Sequence, residues 1–140
     1  MIGFICKRYF LYVLATYALM ILVSSLLSLV GVGLPSGLST VLAAMIPAMW
    51  AGNTWYKKYG NVPESAVSWK LASYFTLIQL GLAVLMLVIL VPFTPELSSL
   101  MTTTYLALFA GIFVFLGVVV LLVSRFFFAM SVKNAAKAAK

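Results

Sequence analysis

The groups able to do chemistry in this chain are few: two carboxylates, Glu64 and Glu96, one thiol, Cys6, no histidine, and nine Lys and Arg side chains. General acid and base catalysis needs two titratable groups that reach one reacting atom. The two glutamates are separated by an apolar run, Leu71 to Val91, of the length that crosses a bilayer. Metal centres draw on histidine or on several cysteines, so one thiol and two distant carboxylates do not assemble one. A serine or threonine nucleophile needs a base beside it, and the only candidates are lysines outside the apolar runs. No Gly-rich phosphate loop is present. The expectation is a protein that is not an enzyme and that holds no cofactor or metal.

What the apolar runs do contain is packing chemistry. Ser36, Thr40, Ala44, Ala48 and Gly52 recur every four residues, which places five small side chains on one stripe of a helix. Such stripes let backbones approach closely in lipid, where packing rather than hydrophobicity drives association. The stripe serves either packing within this chain or contact with a second copy or another membrane protein. Pro47 interrupts the same helix. It has no N–H to donate to the carbonyl of Ala43, so a kink is expected there, with a neighbour satisfying the freed group. Gln79 is the one strong amide well inside an apolar run; it is expected to face the interior and bond another helix, with Thr16 or Tyr17 as candidate partners.

The elements that position these residues follow from composition. The chain is 65% hydrophobic and 8% charged, against about 45–50% and about 25% in soluble domains. Lipid is its solvent. About 20 helical residues cross a bilayer, and four runs qualify: about 9–30, 38–56, 71–91 and 100–124. They imply a single all-α domain over 1–140, four transmembrane helices in an up-down-up-down bundle, followed by a basic tail at 125–140. Short connections are expected to hold sequential helices side by side. Thr94, Pro95 and Glu96 carry helix-start chemistry, and Asn61 to Glu64 repeat it more loosely, which starts the third helix ahead of its apolar run. The first run is longer than the core of a signal peptide and is expected to be retained.

Every cation falls on one side of that topology. Lys7 and Arg8 precede the first run, Lys57, Lys58 and Lys70 lie between the second and third, and Arg125, Lys133, Lys137 and Lys140 follow the fourth. The positive-inside rule then places both termini in the cytoplasm of a bacterial inner membrane. Tyr9, Tyr12, Trp55, Tyr56, Tyr59, Trp69 and Phe126 to Phe128 cluster at the same rim, as expected of an interfacial aromatic belt. The Lys-rich tail attracts anionic lipid at about 1 kcal/mol per side chain near the surface. The net charge of +7 is thus juxtamembrane, and nucleic acid is not an expected partner. Cys6 has no internal disulfide partner and reads as a free thiol.

The segment Ala51-Gly52-Asn53-Thr54-Trp55-Tyr56-Lys57-Lys58-Tyr59-Gly60-Asn61-Val62-Pro63 resembles the ABZJ-type family of short four-span proteobacterial inner-membrane proteins, with a small-residue second span and a basic Gly-x-x-Pro turn before the third. The likeness covers most of the chain by topology and the quoted segment by motif. Members often carry a basic residue two before the proline and an acid a turn after it, where this chain has Asn61 and Val67. The resemblance implies location, not activity. The expected function is a non-catalytic accessory or interaction protein that works by helix packing within the bilayer, on itself or on another membrane protein. The alternative is an immunity-type protein that blocks a pore-forming toxin or bacteriocin. A small facilitator ranks lower, because no apolar run holds the carboxylate that proton coupling relies on.

Overall fold

The computed structural model describes residues 2–33, 35–95 and 103–139, without the side chains at 36, 37, 103 and 104. Their elements are α1 (Ile2–Leu29), α2 (Ser36–Tyr59), α3 (Ser65–Leu90), a 3-10 turn (Val91–Phe93) and α4 (Thr103–Ala138). Glu96, the expected fourth start near Leu100, and Lys140 lie outside the described residues. Three helical segments, Ile2–Leu29, Ser65–Phe93 and Tyr105–Ala138, are long and apolar enough to cross a membrane. Only 11%, 17% and 11% of their most apolar windows are buried inside the protein, so the rest requires an apolar surrounding. α2 is not among them; Lys57 and Lys58 sit in its last turn.

Local chemistry sets the ends. After α1, Gly31 adopts φ 77°, Val32 N–H donates to Leu27 O at 3.0 Å and Gly31 N–H donates to Ser28 O at 3.1 Å. This pair of bonds is a Schellman stop, and its left-handed residue is one that glycine adopts without strain. α2 stops at Gly60, whose N–H caps Tyr56 O. The indole N–H of Trp55 then donates to Asn61 O at 3.2 Å, holding the turn against the helix it follows.

The helices pack in the order α1, α2, α4, α3 around the bundle, with α2 set most extensively against α4 and α1 least extensively against α3. Sequential packing was expected throughout; instead α2 and α3, joined by a short turn, make no comparable contact. One hydrophobic core holds Ile5, Tyr9 and Val13 of α1, Ala48, Ala51 and Trp55 of α2, Leu71 and Phe75 of α3, and Phe128 and Val132 of α4. It joins the first halves of α1 and α3 to the second halves of α2 and α4, so α2 and α4 run parallel to each other. Each helix gives one aromatic to a connected layer. Tyr9 stacks on Phe75 at 3.8 Å between centroids, Phe75 meets Phe128 edge to face at 5.8 Å, and Phe128 meets Trp55 likewise at 6.3 Å.

That layer revises one expectation. Tyr9, Trp55 and Phe128 are core residues rather than members of an interfacial belt, whereas Phe126 and Trp69 remain exposed. The basic tail extends the fourth helix, as its helix-forming residues allow: α4 continues to Ala138, with Phe128 and Val132 buried. The reason is spacing. Ser124, Phe128 and Val132 stand four residues apart, on one face of a helix.

Candidate functional site

α2 is the helix on which the other three converge. Tyr12 of α1 pairs its hydroxyl with Thr54 Oγ1 at 2.7 Å; since Thr54 donates its own proton to Trp50 O, Tyr12 is the donor. Ser131 of α4 donates to Met49 O at 2.7 Å. Gln79 of α3 donates through Nε2 to Ala43 O at 2.7 Å. Each bond ties a helix to α2 in surroundings where an unmade bond leaves a polar group with no water to turn to.

The small-residue stripe lies along this hub. Ala44 and Ala48 are buried, and Gly52 lies beneath α4, where an added Cβ would come within 2.6 Å of Phe128 O and 3.0 Å of Ser131 Cβ. Such a backbone approach admits only glycine without a shift of the neighbour. Thr40 is exposed, and the side chain of Ser36 lies outside those described. Thus the lower part of the stripe packs within the chain and the upper part leaves the seam.

Pro47 and Gln79 form a single device. Pro47 is fully buried inside α2, which runs through it as one helix. Having no N–H, it leaves Ala43 O without its usual donor four residues on. The Gln79 amide, buried at 6% exposure, supplies the missing bond from across the bundle. The sequence suggests Thr16 or Tyr17 as partners for Gln79, but Thr16 donates to Tyr12 O within its own helix. The better signal was Pro47, which marks Ala43 as the carbonyl in need.

Above that bond the bundle opens. Among the described residues, none is buried in α1 after Thr16, in α2 before Ala43, in α3 after Gln79, or in α4 before Gly117. A cavity of about 440 Å³ sits on this floor, lined by residues of all four helices. Among the described residues its polar side chains are Tyr17, Ser39, Thr40 and Gln79; the remainder, including Met20, Leu80, Ala83, Phe113 and Val120, are apolar, and none is charged. A second groove, between α3 and α4, is lined by Val84, Leu87, Leu106, Phe109, Ala110, Phe113 and Val114. Sequence reading missed both spaces, because they are set by the splay of the helices rather than by any run of residues.

The cations surround the opposite, closed end. Lys58 Nζ lies 3.2 Å from the centre of the Phe4 ring, and the Arg125 guanidinium lies 3.8 Å over Trp69, contacts in which the ring face attracts the charge. Lys7, Arg8, Lys57, Lys70, Lys133 and Lys137 are exposed there. Cys6 is a free, partly buried thiol. Among the described residues no three His, Cys, Asp or Glu side chains come together. Compared with protein-family models, curated proteins and solved structures, the chain matches none. The fold therefore defines the class: an all-helical protein with three helices able to span a membrane, closed at a basic end and open at the other.

Proposed function

We propose that this chain is a non-catalytic accessory protein of the bacterial inner membrane, acting by helix packing on another membrane protein. In this reading all four helices span, in up-down-up-down topology, with α2 sheltered by its three neighbours and both termini cytoplasmic. The rim of lysines and arginines supports the orientation, and the three long apolar helices support a membrane location.

The observation that carries the reading is the one-sided packing. Below the Gln79 to Ala43 bond the helices interlock, and above it they present apolar faces with no neighbour inside the chain. Ala44 and Ala48 are buried within the chain and Gly52 lies against α4, so the surface for a partner helix moves to the groove between the outer halves of α3 and α4. The test is affinity capture of the tagged protein in mild detergent, with and without a Leu106→Trp change in that groove. A co-purifying membrane protein lost on substitution supports the reading; a clean monomer in both cases removes it. The same open outer half favours the immunity reading second, since a pore-forming toxin arriving from outside meets it first. Unchanged toxin sensitivity on deletion would remove that alternative.

A further inference from the structure

We infer that the cavity above Gln79 is a binding site for a neutral amphiphile: a hydrocarbon body with one uncharged hydrogen-bonding head, such as a hydroxyl or carbonyl, drawn from the membrane. The inference does not rest on a protein partner, and its space shares only Phe113 with the α3 and α4 groove.

Three observations on the cavity carry it. Its volume, about 440 Å³, is in the range of small-molecule pockets, about 300–1,000 Å³. The helices that form it are held apart by the core and hydrogen bonds below, so the space persists when the chain is folded and must be filled, since an unfilled void forfeits dispersion contacts along its whole lining. Second, among the described residues its lining has no cation or anion, which disfavours a carboxylate, phosphate or ammonium head, because a charge there would be desolvated without a partner. Third, polar groups lie at the floor and a turn above it. Gln79 belongs to the last buried layer and Tyr17 adjoins it, with Thr40 and Ser39 about one turn above, level with Met20, Ala83 and Phe113 of the walls. An amide carries two N–H donors and an acceptor oxygen, and the bond to Ala43 engages one donor. The arrangement suits a head pointing down and a chain running outward along the walls, with about 0.8 kcal/mol gained for each methylene buried from water and less from lipid.

An ordinary acyl tail of a phospholipid would fill the same space without using the polar floor. The test separates the two sources. The full-length protein in phosphatidylcholine vesicles is irradiated with three diazirine probes: a long-chain alcohol, the matching alkane, and a phosphatidylcholine with the diazirine in its acyl chain. Cross-linked peptides are then mapped. The alcohol is expected to label the segments around Leu80 and Phe113 in preference to the alkane. Gln79→Leu should lower alcohol labelling by about threefold to tenfold, the weight of one hydrogen bond in lipid, to the level of the alkane. Ala83→Trp, which fills a wall and leaves the Gln79 bond in place, guards against a misfolded Gln79 variant; with helical content unchanged by circular dichroism, it should abolish labelling of both segments. Equal labelling by alcohol, alkane and phospholipid, or alcohol labelling that survives Ala83→Trp, overturns the site.

Discussion

Gly52 and Gln79 show how much a single residue settles here. At Gly52 the backbone of α4 comes so near that a methyl group would lie 2.6 Å from Phe128 O. That contact is with backbone, which cannot swing aside as a side-chain end would. Gly52→Ala is expected to destabilise the bundle by about 1–3 kcal/mol, the usual penalty of overpacking. Ala48→Gly on the same stripe adds no bulk but loses helix propensity, about 1 kcal/mol, and the burial of one methyl, about 1 kcal/mol. Unfolding in mixed detergent micelles checks both, and an undiminished Gly52→Ala protein would mean that the seam yields. Gln79 acts by chemistry rather than by size. Its amide was legible in the sequence as an interior group, but its partner was not, since the depth match to Thr16 and Tyr17 left out the carbonyl that proline frees.

The unit that matters among the elements is α2. Among the described helices it is the one that does not qualify as a span by composition, and it receives a hydrogen bond from each of the other three. Its break at Pro47 and the Gln79 amide should therefore be energetically coupled. Pro47→Ala restores an N–H that can reach Ala43 O within the helix, so removing Gln79 then strands less. In a double-mutant cycle, Gln79→Leu is expected to cost about 0.6–1.7 kcal/mol with Pro47 present and clearly less in the Pro47→Ala background. Equal losses in both backgrounds would show that the bond does not compensate the proline. Helix existence was readable from the apolar runs and the stop at Gly31, and the helix formers of the tail allowed an extended fourth helix; that its extension carries core residues was not. α4 runs on past Arg125 because Phe128 and Val132 continue the buried face of Ser124, a four-residue pattern that charge-based span limits overlook.

At the scale of the whole molecule, two ends have different physics. The basic end is closed by a core containing an aromatic from every helix; the other is splayed, with side chains such as Leu29, Val114 and Phe115 more than two-thirds exposed. Embedded as proposed, the closed end lies at the cytoplasmic leaflet and the open end in the outer one. A reporter active only outside the cytoplasm should be silent when fused after Lys140 and active when fused near Glu96. The opposite pattern would invert the molecule and with it the side from which a partner or amphiphile enters.

Composition by itself determined the solvent, the helical class and the partition of cations to one rim, because these depend on residue type and run length and not on neighbours. The small stripe, Pro47 and Gln79 were likewise visible as features awaiting partners. Only the tertiary structure decided the partners. Pairing α2 with α4 rather than with α3 is a choice among helix faces that are nearly all apolar, and in such a chain periodicity distinguishes the faces poorly. Close approach at Gly52, the carbonyl left by Pro47 and the reach of Gln79 select one arrangement from the rest, and the cavity above them is the space that this arrangement leaves.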